Sequence, residues 1–160
     1  MSSTDDCSTV TIYTDGACLG NPGPGGWAAV LLSGDRRKEI SGASAGTTNN
    51  RMELKAAIEG LKQLKRSCRV VLITDSRYLH DALERGWLEK WRRNGWKTAS
   101  RSPVKNQDLW RELHGLLQRH RVDFRWTRGH QGTEENERCD ELARRAARGE
   151  KPSPGRSSGA

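Results

Sequence analysis

Residues 9–32 read TVTIYTDGACLGNPGPGGWAAVLL, and the fold class follows from this stretch and what comes after it. Residues 9–15 alternate, with Val10 and Ile12 on one face, which predicts a strand. Residues 16–26 hold five glycines and two prolines and predict a turn. The short apolar run 27–32 predicts a second strand, and residues 38–45 a third. From Asn50 the apolar spacing becomes helical, with Leu54, Ala57, Ile58, Leu61 and Leu64 on one stripe. Residues 70–74 are almost wholly apolar, the pattern of a strand covered on both faces. Helical patterns return at 76–84, 86–93 and 106–119. Val122, Phe124 and Trp126 alternate in a last strand, and 134–148 reads as a last helix, acidic at its start and basic at its end, which suits the helix dipole. Three strands, a helix, a strand, helices, a strand and a helix predict an α/β fold, a mixed five-stranded sheet flanked by helices.

The 160 residues make one domain, expected to span 9–148 between disordered tails at 1–8 and 149–160. Apolar residues are only 33% and charged residues 30%, so the surface is heavily ionic. A net charge of +8 favours a polyanionic partner, nucleic acid or an anionic membrane surface. Nothing is long and apolar enough to span a bilayer. Residues 1–7 contain two aspartates and no basic region, so no secretory signal is expected, and the expected location is cytoplasmic. Cys7, Cys18, Cys68 and Cys139 are scattered, which predicts free thiols. Four dispersed histidines offer those cysteines no zinc-binding partner.

Four carboxylates stand out. Asp15 ends the first strand, Glu53 opens the first long helix, Asp75 ends the fourth strand, and Asp140 lies in the last helix. Each has a bland explanation. Asp15-Gly16 can be a turn, Glu53 can close a capping box begun by Asn50, Asp75 can cap the next helix, and Asp140 can pair with Arg144. Together they point elsewhere. Adjacent parallel central strands bring Asp15 and Asp75 to one sheet edge, where open α/β sheets gather ligands. Carboxylates that close cannot all ionise unless a cation neutralises them. An oxygen-only set selects a hard ion, Mg2+ or Mn2+. Two such ions about 4 Å apart activate a water and stabilise the leaving oxygen of a phosphodiester.

Longer strings carry a resemblance. Thr14-Asp15-Gly16, the run from Gly20 to Gly26, Thr47-Thr48-Asn49-Asn50-Arg51-Met52-Glu53-Leu54, Thr74-Asp75-Ser76, Gly129-His130 and the run from Glu135 to Ala143 are similar to bacterial type 1 ribonuclease H. The similarity covers roughly 9–148. It implies an endonuclease that hydrolyses the RNA strand of RNA–DNA hybrids with two Mg2+ ions (Mn2+ a possible substitute), leaving 5′-phosphate and 3′-hydroxyl ends. It implies Asp15, Glu53, Asp75 and Asp140 as catalytic metal ligands. His130, in a loop before the last helix, becomes an aid to proton transfer or product release. Cys18, Asn21, Asn49, Asn50 and Asn136 become substrate contacts, although Asn49, Asn50 and Asn136 also suit helix capping. Arg77 stands where the bacterial pattern has Gln, so a base or sugar contact gives way to a phosphate contact.

The glycine run is no nucleotide cradle, because it lacks the Gly-Lys-Ser/Thr ending and leads into a strand. Small residues there let the backbone approach a minor groove, where RNA displays its 2′-hydroxyls. Residues 84–105 hold seven bases against two acids, a net +5 of the total +8. The segment resembles the family's basic protrusion, with Lys90, Arg92, Arg93 and Lys97 as phosphate contacts. Trp87, Trp91 and Trp96 serve the substrate or simply pack the protrusion onto the body. Only eight residues precede the domain, so no amino-terminal hybrid-binding module is expected, and the chain is expected to be monomeric. Two rivals remain: a catalytically inactive hybrid-binding module, and a DNA-cutting relative of the same fold.

Overall fold

A computed structural model describes residues 7–98, 100–127 and 134–154. The chain runs β1 (Cys7–Cys18), β2 (Gly23–Ser33), β3 (Arg36–Thr47), α1 (Asn49–Lys62), β4 (Cys68–Thr74), α2 (Arg77–Glu84), α3 (Trp87–Arg93), α4 (Gln107–Arg119), β5 (Arg121–Trp126) and α5 (Glu134–Ala147). The five strands form one sheet in the order β3-β2-β1-β4-β5. β1 pairs antiparallel with β2, and β2 with β3. β1 pairs parallel with β4, and β4 with β5. The expected mixed sheet is present, with β1 and β4 as adjacent parallel strands at its centre.

Alternation along β2 divides the core. Ala29 and Leu31 face the larger cluster, which Leu54, Ile58 and Leu61 of α1 and Trp110 and Leu113 of α4 fill. Ala28 and Val30 face Cys139, Leu142 and Ala143 of α5. Coverage of β4 is unequal: Val70 and Leu72 are fully buried, whereas Val71 and Ile73 are partly exposed. The expectation of a strand covered on both faces holds for the Val70 and Leu72 face and only in part for the other.

The glycine run is mostly strand, not turn. β1 continues to Cys18, and β2 is already under way at Gly23, with Gly16 opposite Trp27 and Cys18 opposite Gly25. Two of its glycines are needed for close approach. A Cβ on Gly16 would stand 2.7 Å from the backbone of Met52 and Glu53. One on Gly26 would stand 2.3 Å from the carbonyl oxygen of Ala143. Real Cβ contacts do not fall under 3.0 Å. These two positions let α1 and α5 lie directly on the sheet.

Further readings change in detail. Thr48 caps α1, its side chain accepting from the Arg51 N–H at 3.3 Å, so Asn49 and Asn50 lie inside the helix. Ser76 caps α2, accepting from Leu79 N–H at 3.2 Å, so Asp75 is not its cap. Cys18 and Cys139 are free thiols, but Cys68 is disulfide-bonded, which corrects the expectation of free thiols throughout. β1 starts inside the stretch read as an amino-terminal tail. At the other end, Lys151 and Ser153 hydrogen-bond back to Arg145 and Arg138 of α5. Among the described residues, no helix is long and apolar enough to cross a membrane.

Candidate active site

Four separate elements deliver the carboxylates. Asp15 comes from β1, Glu53 from the second turn of α1, Asp75 from the residue after β4, and Asp140 from the middle of α5. The parallel β1–β4 pairing, with Tyr13 opposite Ile73, places the ends of both strands at one edge. Gly16 lets the start of α1 press against that edge. One oxygen each of Asp15, Glu53 and Asp75 lies within 4.8 Å of the others. Asp140 lines the same open cleft, together with Gly16, Asn49, Asn50, Ser76, Arg77 and Tyr78.

The cluster is electrostatically tense. Asp15 is only 6% exposed and Glu53 4%. Burial, followed by the charges of Asp75 and Asp140, pushes Asp15 up to about 8. The Gly16 N–H, donating to Asp15 Oδ1 at 2.9 Å, opposes that rise. Burial, then the charges of Asp15 and Asp75, raises Glu53 well above the usual carboxylate range. Glu53 Oε1 is buried with no hydrogen-bond partner among the described residues. A buried carboxylate oxygen left unpaired is costly in a neutral surrounding. A divalent cation satisfies it and relieves the repulsion of its neighbours, so the residues fit a hard metal ion.

Neighbouring groups hold the cluster in place. Trp126 Nε1 donates to the Asp75 carbonyl oxygen at 3.3 Å, and the Arg77 guanidinium lies 5.7 Å from the centre of the Trp126 ring. Asp140 Oδ2 pairs with Arg144 Nε at 3.1 Å, so the bland reading of Asp140 holds beside the functional one. The Asn49 N–H donates to Asn21 Oδ1 at 3.2 Å, which ties the β1–β2 connection to the start of α1. The Cys18 thiol lies 2.6 Å from the Gly20 carbonyl oxygen.

Of the expected substrate contacts, Asn49, Asn50 and Arg77 line the cleft. Cys18 and Asn21 lie on the adjoining rim, and Asn136 sits within α5, so it is not that helix's cap. Lys90, Arg92, Arg93 and Lys97 are exposed on the protrusion around α3, and none of them lines the cleft. His130 lies outside the described residues. Sequence reasoning missed Tyr78 and Trp126. Tyr78 stands close to Asp75 in the chain, which is a usable signal. The contact from Trp126 depends on Thr74 pairing with Trp126 in the β4–β5 register, which no local pattern announces.

Residues 7–148 match the family model described as RNase H. This chain belongs to the RNase H family. It is a hydrolase that cuts the RNA strand of RNA–DNA hybrids. The chain is 60% identical over 144 residues to a Ribonuclease H of Oleidesulfovibrio alaskensis, covering 89% of this chain and 94% of that one. It is 58% identical over 139 residues to a Ribonuclease HI of Neisseria meningitidis serogroup B, covering 87% and 95%. Among solved structures it is similar to LC9-RNase H1, a type 1 RNase H with the type 2 active-site motif, at a TM-score of 0.80 and 37% identity, covering 96% of this chain and 79% of that one. The RNase H domain of a foamy virus, at a TM-score of 0.73 and 23% identity over 89% of this chain and 96% of that one, shares the fold. The RNase H family is metal-dependent, and the Asp15, Glu53 and Asp75 cluster is where this member can hold a metal.

Proposed function

We propose that Asp15, Glu53, Asp75 and Asp140 hold two Mg2+ ions, with Mn2+ as a substitute, and that hydrolysis in this cleft leaves 5′-phosphate and 3′-hydroxyl ends on the RNA. The observation that carries this reading is the convergence of three carboxylates within 4.8 Å, one of them with a buried, unpartnered oxygen. When bound, the ions supply an activated water and stabilise the departing 3′ oxygen. The chain supplies the positioning. Asp15 and Glu53, raised by burial and mutual repulsion, would release their protons to water when cations bind. Trp126 fixes the main chain at Asp75, and Arg144 fixes Asp140. Arg77, held over an indole, takes a substrate phosphate in place of a base or sugar edge. Asn49, Asn50, Asn21 and Cys18 meet the sugars and phosphates of the hybrid, with Asn136 at the margin of the site. His130 moves a proton or helps release product. Residues 9–148 form the catalytic unit, which acts as a monomer, with all four carboxylates supplied by one chain.

The test uses labelled RNA–DNA hybrid, duplex RNA and duplex DNA, each with Mg2+ and with excess chelator. The hybrid's RNA strand alone is cut, and only with the metal. Asp15→Asn and Asp75→Asn each lower kcat by at least about 10³-fold while circular dichroism shows an intact fold, a loss in the range seen when a main electrostatic element is removed. Cutting of duplex DNA, cutting in chelator, or wild-type turnover in either folded variant overturns the reading.

A further inference from the structure

Leu19 is the one large apolar side chain left well exposed among the described residues, at 48%. It stands at the turn that joins β1 to β2, which Asn21 ties to Asn49, a residue that lines the cleft. A lone exposed leucine usually means nothing. This one is held in place by a stiff mount. The Leu19 N–H donates to the Pro24 carbonyl oxygen at 2.7 Å across the turn. A Cβ on Gly23 would fall 2.3 Å from the Leu19 carbonyl oxygen, so the two arms of the turn are in close contact. On either side, Cys18 is anchored to the Gly20 carbonyl and Asn21 to the start of α1. The whole turn is exposed, from Gly20 to Pro22 and again at Pro24, and Leu19 is its one large apolar side chain.

We infer that Leu19 is a specificity-determining residue: an apolar knob that seats against the sugar faces of the hybrid's minor groove and disfavours duplex DNA. The inference rests on the reading of this cleft as the hydrolytic site and of its rim as the hybrid-facing surface. Leu19 lies four residues beyond Asp15 along an extended chain, roughly 13 Å away at about 3.3 Å per residue. That separation puts it on the same substrate and clear of the reacting phosphate. An A-like groove is wide and shallow and presents ribose rings, so a rigid leucine can lie flat in it. The B-form minor groove is only about 6 Å wide, and a knob on a hydrogen-bonded turn does not enter it without deformation. The contact involves no charge, so it acts on affinity without releasing counterions.

Steady-state kinetics on the full chain test this with Leu19→Ala, Leu19→Met and Asn21→Ala, using unlabelled duplex DNA as a competitive inhibitor. Leu19→Ala is expected to raise KM for the hybrid roughly fivefold, the scale of about one buried methylene group. Expected with it are unchanged kcat, Tm and salt dependence of KM, and an inhibition constant for duplex DNA that is unchanged or lower. Leu19→Met should restore KM. An unchanged KM in Leu19→Ala, or equal rises in KM and in the duplex DNA constant, overturns the inference. If Asn21→Ala raises KM while Leu19→Ala does not, the hybrid-facing rim stands and only the role of Leu19 falls. If neither raises KM, the rim reading falls as well.

Discussion

Asp15 holds its proton in the folded chain at a pH where an unfolded aspartate has lost it, and this makes the metal-free protein sensitive to alkali. Its folded value is about 8, against about 3.9 for an unperturbed aspartate, and Glu53 is displaced in the same direction. Both values are raised, so the folded state binds more protons than the unfolded state between them. Stability is then full below the unfolded values and is lost as pH rises through the folded ones. His120 works in the opposite sense. Burial lowers its pKa, so its contribution is complete above its ordinary value near 6.5 and is lost as pH falls below that. The pairs Glu39–Arg138 and Asp108–Arg51 lower their carboxylates, and so matter only at more acid pH. From pH 6.5 to 8.5 the carboxylate cluster alone among these groups sets the slope. In chelator, the Tm should fall as pH rises across that window, Mg2+ should raise it more at pH 8.5 than at 6.5, and Asp15→Asn should flatten the decline. A Tm that is level or rising with pH in chelator removes the repulsion argument. The positions of these acids were legible because strand ends are legible: Asp15 and Asp75 each follow an apolar alternating run. The cap of α1 was not. Thr47, Thr48, Asn49 and Asn50 are all able to cap, and backbone geometry decides, Thr48 being extended at φ −127° and ψ 163°.

At the scale of elements, the order and type of all ten could be read from periodicity, but how closely they approach could not. Glycines 16 and 26 looked like turn formers because glycine signals both conformational freedom and absence of volume, and one sequence does not separate the two. The pairing of Gly16 with Trp27 and of Ala17 with Gly26 shows that both are strand residues. Volume is what matters at Gly26, where an added Cβ meets the Ala143 carbonyl at 2.3 Å, the Ala147 nitrogen at 2.5 Å and the Ala146 Cβ at 2.7 Å. Backbone atoms cannot rotate away as a side chain would, so α5 must move as a whole. Gly26→Ala should therefore cost at least about 1–3 kcal/mol, the range for overpacking, read as a lower midpoint in urea at unchanged m-value. Because α5 carries Asp140, the variant should also need more Mg2+ for half-maximal turnover than the wild type. Gly34→Ala serves as a contrast, since a Cβ there meets nothing within 4 Å, although its φ of 62° disfavours alanine. It should destabilise the turn without altering the Mg2+ requirement. If both variants lose stability but neither shifts that requirement, the close seating of α5 supports the fold and not the site.

Across the whole molecule, charge is segregated: the carboxylates gather at one sheet edge, and the densest positive region lies on the α3 protrusion. The structure decides between the two readings of the protrusion's tryptophans in favour of packing. Trp96 is 8% exposed and stacks edge-on with His114. Trp91 lies 5.5 Å from Trp110 of the main core and 6.2 Å from Trp87. The bases behave differently, because Arg85, Lys90, Arg92, Arg93, Lys97, Arg101 and Lys105 are all exposed. An aromatic interior thus underlies a cationic surface. Glu89 pairs with Arg92 at 3.0 Å and is the acid inside this surface; Glu84, at its margin, pairs with His80. Each lysine or arginine that meets a phosphate releases condensed counterions, so hybrid affinity should fall steeply with salt. Changing Lys90, Arg92, Arg93 and Lys97 together to Ala leaves the tryptophan packing untouched and removes half of the formal +8. The variant should keep its Tm, show a raised KM with kcat nearly unchanged, and lose up to about 3–4 units from the slope of log affinity against log salt. Raised KM at constant kcat means that binding was lost equally from ground and transition states. The penalty should be the same on hybrids of different sequence, because phosphate contacts carry no base information. The four carboxylates are untouched in this variant, so a large fall in kcat would show that the protrusion orients the scissile phosphate. An unchanged KM and salt slope would show that substrate does not reach it, and that the +5 of this segment serves solubility alone.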